Sequence, residues 1–329
     1  MIEIMATGAL ATVQDHGRCG ALKWGVGASG ALDNLALAAG NILLGNDEHA
    51  AGIELQIFPF QARFTEDCAF ALTGADCGAA LDDLPLPPWW VQTASAGQVL
   101  SLGIPRQGTW RASRAYLCLA GGVDVPVVLG SRSTQLRGAF GGFEGRQLRS
   151  GDRLRAGATP NMTGRAGFGL SPPALDLPLM KDGLPAVRVL PAAEYAQYTE
   201  AAHHTLWNEA WRVTPQSDRY GYRLEGTPLH PVAPIETRSH GIVPGVIQVP
   251  PNGQPIVQMR DAQPSGGYPK IGAVIEADLW RLGQAPIGSR IRFLQTSWDE
   301  AIAVGEQSEQ WFAEARRLVD LYSGRTRSH

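Results

Sequence analysis

A chain of 329 residues exceeds what one hydrophobic core ordinarily supports, so two domains are expected, with 44% apolar residues to fill them. Its 18% charged residues and net charge of -3 give no electrostatic reason for nucleic acid or an anionic membrane surface, leaving small molecules and proteins as partners. No apolar run approaches the roughly 20 residues of a membrane helix, and Asp15 and Arg18 interrupt the place of a secretion signal, so a cytoplasmic location is expected.

In chain order, the first charged block is Gln14-Asp15-His16-Gly17-Arg18, followed by Lys23 and a glycine-rich run to Gly30. An acid, an imidazole and a guanidinium on backbone opened by glycines can bind a carboxylate or carbamate and move a proton. A turn in which Asp15 and Arg18 pair or cap backbone accounts for the block equally well. Next, Ser29 is placed to cap a helix carrying Leu32, Leu35, Ala36, Ala39, Ile42 and Leu43 at helical spacing, with Asp33 in its positive first turn and Gly45 as its stop.

Short apolar runs at 70–72, 99–102, 115–120 and 291–294, each bounded by turn residues, predict many short strands instead of βαβ units. A mainly β protein follows, and 39 glycines with 23 prolines suit a barrel or sandwich. Residues 82–90 read as an irregular loop whose Trp89 and Trp90 need a core or a partner surface. Thr73 and Asp76 leave a strand where polar ligand contacts often sit, and the 129–134 segment offers Arg132 and backbone N–H groups to an anion.

Cys19, Cys68, Cys77 and Cys118 lack the Cys-x-x-Cys or His-x-His spacing of a zinc site and are expected to be free thiols; Cys19, between Arg18 and Gly20, is the one placed to hold a thiolate. No metal site is expected. Periodicity is lost from about 157 to 186, which divides the chain into an N-terminal β domain (1–157), a linker (158–186), a C-terminal β-barrel domain (187–297) and a final helix with its tail (298–329). Within the second half a helix is expected from about Ala193 to His204. The last one opens on a Ser297/Glu300 capping box and carries Trp311, Ala315, Leu318, Val319 and Tyr322 on one stripe; beyond Ser323 the tail has nothing to bury.

In 217–226, Asp218 and Arg219 beside a turn are site candidates, whereas Arg223 and Glu225 read as strand-edge charge pairing. The richest stretch is 239–276, where glycines and prolines punctuate β-branched runs and leave Asp261 and Lys270 on turn-rich backbone. Walker A, dinucleotide, Gly-x-Ser-x-Gly and His-Glu-x-x-His patterns do not occur.

These blocks in this order, from Gln14-Asp15-x-Gly17-Arg18 and Gly25-Val26-x-x-Ser29-Gly30-x-x-Asp33 through Leu72-Thr73-Gly74-Ala75-Asp76 and Leu129-Gly130-Ser131-Arg132-Ser133-Thr134 to Ser217-Asp218-Arg219, Gly241 to Pro255 and Gly266-Gly267-Tyr268-Pro269-Lys270, carry a family resemblance. They resemble the biotin-dependent carboxyltransferase domain family, also called allophanate hydrolase subunit 2, which includes the C-type subunit of 5-oxoprolinase and the carboxyltransferase domain of urea carboxylase. The resemblance runs from about residue 5 to 295. It implies two β-barrel units of cyclophilin-like topology and a partner similar to allophanate hydrolase subunit 1. Against the family pattern, Gly27 stands where proline is usual, Leu32 where methionine is, and Asp261-Ala262-Gln263-Pro264-Ser265 replaces Asp-Arg-Gln-Thr-Thr.

The leading expectation is a subunit of a heteromeric, ATP-dependent, 5-oxoprolinase-like hydrolase acting on a small amide or lactam, with ATP used through the complex. Carboxyl transfer from carboxybiotin, carried on a separate chain, to urea or a related amide is the second. A non-catalytic regulator of a kinase inhibitor is the third. By the resemblance, Lys270, Arg18 or Arg132 would stabilise negative charge, and Asp15, Asp261 or His16 would handle protons. Substrate contacts would come from Gln14, Arg18, Lys23, Ser29, Asp33, Asp76, Arg132, Asp218, Arg219, Gln248, Gly266, Gly267 and Tyr268. The 14–33 and 239–276 segments are expected to be halves of one site.

Overall fold

Strands Cys68–Gly74 and Ala115–Leu119 are apolar on both faces, and the computed structural model, which describes residues 1–106, 112–158 and 166–322, shows why. They pair antiparallel at the centre of a five-stranded sheet, with Leu117 opposite Leu72. From one face Phe70, Leu72, Leu117 and Leu119 join a core with Ile2, Ile4, Phe60 and Phe64, which come from strands Ile2–Thr7 and Phe60–Phe64 of a seven-stranded sheet. The opposite face is covered by helix Asn34–Leu44, where Thr73 donates to the Ala36 carbonyl at 2.7 Å and a side chain at Gly40 would meet the Cys118 sulfur at 2.7 Å. A strand covered on both faces loses polar alternation.

These elements belong to the first of two compact units, which takes in Met1–Arg18, Ser29–Leu177 and the chain from Gln310. Its helix is capped by Asp33, whose carboxylate accepts from the Ala36 amide at 2.9 Å, and not by Ser29, which lies in a left-handed turn at φ 55°. That backbone turns the Ser29 side chain away from a capping position, whereas a carboxylate at the helix start also meets the positive end of its dipole. Gly45 ends the helix in the left-handed conformation, as expected. Residues 80–85 form a tight hairpin, Ala80–Leu81 with Leu84–Pro85, so the 82–90 stretch is less irregular than its composition indicates. Trp89 is buried and donates to the Gly74 carbonyl, while Trp90 is partly exposed.

The second unit takes in Cys19–Ala28 and Pro178–Glu309. Seven of its strands close into a barrel: Leu184–Pro191, Lys270–Val274, Val246–Gln248, Ile256–Gln258, Gly221–Glu225, Ala210–Val213 and Arg290–Gln295. The last returns to the first in a parallel ladder, with Val187 opposite Phe293; the other ladders are antiparallel. Buried Val187, Val189, Trp211, Leu224, Ile247 and Phe293 contribute to its core. In the first unit the described strands instead fall into two sheets sharing one core, and closure is confined to the second unit.

Beside the closing ladder lies Asp278, fully buried. Its carboxylate accepts from the Arg188 amide at 2.8 Å and from both guanidiniums, Arg188 Nη1 and Arg281 Nε, at 3.0 Å. The second-half helix is displaced from its expected span. A 3-10 turn at Tyr195–Gln197 comes first, and Thr199, whose hydroxyl accepts from the Ala202 amide, starts helix Glu200–Asn208. The last helix, Trp298–Tyr322, opens with the Ser297 hydroxyl accepting from the Glu300 amide at 3.2 Å, but the Glu300 carboxylate binds the Thr296 hydroxyl, so half of the capping box forms. Its buried stripe is Val304, Phe312, Ala315 and Val319. The tail from 323 and linker residues 159–165 lie outside the described residues.

Two outcomes follow from this packing. Asp278→Ala leaves two guanidiniums without their buried anion and is expected to cost about 3–5 kcal/mol of stability, whereas removing the exposed Glu314, paired with Arg317 on the surface, leaves the chemical-denaturation midpoint unchanged. The four cysteines are free; burial pushes the Cys77 and Cys118 thiols up to about 12 and also raises that of Cys68. A thiol reagent at pH 8 should therefore label exposed Cys19 first, with Cys77 and Cys118 labelled only on unfolding, as read by mass spectrometry of digests.

Candidate functional site

On strand Gly221–Glu225 the alternation places Tyr222 and Leu224 in the buried set and leaves Arg223 and Glu225 exposed. Gly221 pairs with Gln258, Arg223 with Ile256, and Ile256 in turn with Gln248. These outward positions line a cavity of about 790 Å³, completed by turns at 250–255 and 263–268. Such a volume lies in the range of small-molecule sites.

Its most ordered polar feature is a chain of amides. Gln258 Nε2 donates to Gln248 Oε1 at 3.0 Å, and Gln248 Nε2 donates to the Tyr268 carbonyl at 3.2 Å, although both glutamines are nearly buried. Gly266 permits the arrangement, since a side chain there would come within 2.9 Å of Gln248 Nε2. Gly267 and Tyr268 belong to the same lining, and they also border a second, more apolar cavity of about 440 Å³ walled by Val232, Pro234, Ile235 and Val249. Gln248, Gly266, Gly267, Tyr268 and Asp218 thus share one cavity lining.

Asp261 and Arg219 do not line this cavity. They form a buried ion pair, with Arg219 Nε at 2.9 Å and Nη2 at 3.1 Å from the two carboxylate oxygens, and the Asp261 amide donates to the Arg219 carbonyl. Asp218 lines the cavity but also accepts from the Tyr220 and Gly221 amides, shaping the turn into the strand. Lys270 stands opposite Gln248 in the ladder and donates from Nζ to the Gly241 carbonyl at 3.1 Å. Among the described residues its ammonium has no carboxylate partner. Gly27 packs directly on this region, since a side chain there would meet the Ala262 carbonyl at 2.7 Å. Lys23 lies in the same short N-terminal segment, over the Trp24 ring.

The remaining candidates lie in the first unit. Asp15 is buried and its carboxylate accepts from the Gly17 and Arg132 amides and from the hydroxyls of Ser131 and Ser133. Arg18, also buried, donates to the Val128 and Ser133 carbonyls and covers the Phe140 ring at 4.7 Å. Both pin the 128–134 segment. His16 packs edge-on against His49, and Arg132 reaches Asp124 at 3.5 Å. Gln14 donates to Thr12 and Thr134; its Oε1 and the Ser29 hydroxyl are buried with no partner among the described residues. Asp33 serves the helix cap, and its amide donates to the Tyr116 hydroxyl, which donates to buried Glu54. Burial, together with these carboxylates, raises the Tyr116 phenol far above its usual range. Asp76 accepts from the Gly78 amide and lies 3.5 Å from Arg106.

Gln258, Thr214 and Arg223 line the cavity without having been singled out from sequence. The strand-edge charge pairing expected here forms at Glu225, which pairs with Arg212, its direct cross-strand partner, but not at Arg223. The signal was available in the Arg212-Val213-Thr214 alternation, but it depends on a register that local sequence does not specify. No group of three or more potential metal ligands occurs among the described residues, and no described helix is long and apolar enough to cross a membrane.

The chain as a whole has clear relatives among known proteins. The chain is 41% identical to the C-type subunit of 5-oxoprolinase from Escherichia coli over 95% of its own length and 96% of that protein. It is 40% identical to the Haemophilus influenzae protein of the same name over 97% and 99%. Urea amidolyase of Lachancea kluyveri is 30% identical, the match covering 93% of this chain but 17% of that much longer one. Among solved structures, Kluyveromyces lactis urea carboxylase superposes with a TM-score of 0.85 at 26% identity, over 98% of this chain and 29% of the other. Residues 24–295, which include the whole barrel wall and its cavity, match the family described as carboxyltransferase domain, subdomain A and B, and the chain belongs to that family.

Proposed function

We propose that this chain acts as the C-type subunit of an ATP-dependent 5-oxoprolinase assembly that opens a small lactam. The observation that carries the reading is near-complete, two-way coverage with the Escherichia coli protein at 41% identity, which matches the two proteins in extent as well as in sequence. Overall the reaction joins 5-oxoproline, ATP and two waters to give glutamate, ADP and phosphate; the ring C–N bond breaks and the nitrogen takes up a proton. The chain has no P-loop motif, so ATP is assigned to the complex, with an allophanate hydrolase subunit 1-like protein as the partner.

On this reading the cavity of the second unit binds the lactam. Gln248 and Gln258 offer amide donors and acceptors complementary to a ring amide, and Lys270, the ladder partner of Gln248 although not itself among the lining residues, supplies an ammonium that would leave the Gly241 carbonyl to meet the lactam oxygen as it becomes anionic. Asp261, held by Arg219, acts by positioning the 261–268 turn, and Asp15 by pinning the 128–134 segment.

Carboxyl transfer from carboxybiotin on another chain is the second reading, favoured by the urea carboxylase superposition. It needs the same cation for the carboxylate. Co-purification with the partner protein and an assay of glutamate released from 5-oxoproline separate the two. ATP-dependent release supports the first reading, and its absence alongside biotin-dependent carboxylation of urea overturns it. Lys270→Met should lower kcat about 100-fold while changing KM little; turnover at the wild-type rate would remove Lys270 from the chemistry.

A further inference from the structure

The cavity lining carries further polar groups besides the glutamine pair. Arg223 lies on its wall, exposed, and among the described residues its guanidinium makes no ion pair or hydrogen bond. The two carboxylates in the same lining are otherwise engaged: Glu225 with Arg212, and Asp218 with the Tyr220 and Gly221 amides. Beside Arg223, bonded through its amide to the Arg223 carbonyl, is Thr214. Thr214 is 9% exposed, it lines the cavity, and its hydroxyl is buried with no partner among the described residues. A buried hydroxyl without a partner is costly, and an unpaired guanidinium presents a planar set of donors suited to a carboxylate.

We propose that Arg223 and Thr214 form a carboxylate-binding end of this cavity, which seats the acid group of a carboxylated lactam while Gln248 and Gln258 read its ring amide. The inference rests on the lactamase reading above and adds to it the demand for a free carboxylate on the substrate. Gly221 pairs directly with Gln258, which makes Arg223 and Gln258 diagonal neighbours on the wall. Diagonal partners lie about 7–8 Å apart, a separation that two long side chains can bridge around one small molecule. A lactam lacking the acid leaves the guanidinium unused and gains nothing from this end.

Calorimetric titration of the full chain, alone and with its partner protein, with L-5-oxoproline and with 2-pyrrolidinone tests the assignment. Arg223→Met should weaken 5-oxoproline binding about 10- to 100-fold, Arg223→Lys should restore part of it, and Thr214→Val should weaken it less. Binding of 2-pyrrolidinone should be unchanged by all three. Equal effects on both ligands, unchanged 5-oxoproline binding in Arg223→Met, or no wild-type preference for the acid-bearing lactam would overturn the proposal. Failure of the reaction is distinguishable: Arg223-dependent binding without ATP-dependent hydrolysis overturns the lactamase reading alone, and hydrolysis with an unchanged KM in Arg223→Met overturns the carboxylate anchor alone.

Discussion

The parallel ladder between Leu184–Pro191 and Arg290–Gln295 is the constraint on which the candidate site depends, because it turns an open sheet into a barrel. Closure removes the exposed edges and gives the strands an inner and an outer face. Inward positions are filled by Trp211, Leu224, Ile247 and Phe293, so the outward positions of the same strands are free to carry Arg223, Gln248 and Gln258. Asp278 holds this closure from the side. Its buried charge is balanced by Arg188, on one of the two closing strands, and by Arg281. Buried charges left without such partners are strongly unfavourable.

The same device recurs at Asp15 and Asp261, and it explains why residue type alone misdirects. An acid near an imidazole and a guanidinium has the composition of an acid–base site. Asp15 nevertheless accepts four hydrogen bonds from neighbouring backbone and serine hydroxyls, and Asp261 is gripped by both arms of Arg219. What separates a carboxylate that moves protons from one that holds a loop is how many donors already occupy its oxygens. Lys270, with one carbonyl partner, and Arg223, with none among the described residues, fall on the other side of that line.

Much of the fold was legible because its signals are local. Short runs between turn residues announced the strands, Gly45 announced a helix end, and the spacing of the cysteines announced free thiols. The turn-rich 239–276 stretch does supply much of the cavity lining, including Gln248 and Tyr268. Failures came where two local signals competed or where the answer lay across a ladder. Ser29 and Asp33 are both good caps, and a left-handed backbone at Ser29 decides between them. The second-half helix starts after Thr199 and not at Ala193, because the Thr199 hydroxyl satisfies the Ala202 amide, which the alanine before Ala193 cannot do. The partner of Glu225 was beyond reach, since a register is set by the sheet as a whole.

Neither compact unit is a continuous stretch of chain. Residues Cys19–Ala28 belong to the second while their flanks belong to the first, and the helix that begins at Trp298 ends among the residues of the first. During synthesis the first unit therefore lacks its last piece until the C-terminal residues leave the ribosome, and the second is built around ten residues made long before the rest. A single cut between Leu177 and Pro178 would not release a whole unit from either side. Recombination in evolution that respects both units must accordingly transfer the gene segment entire, as a single heritable block.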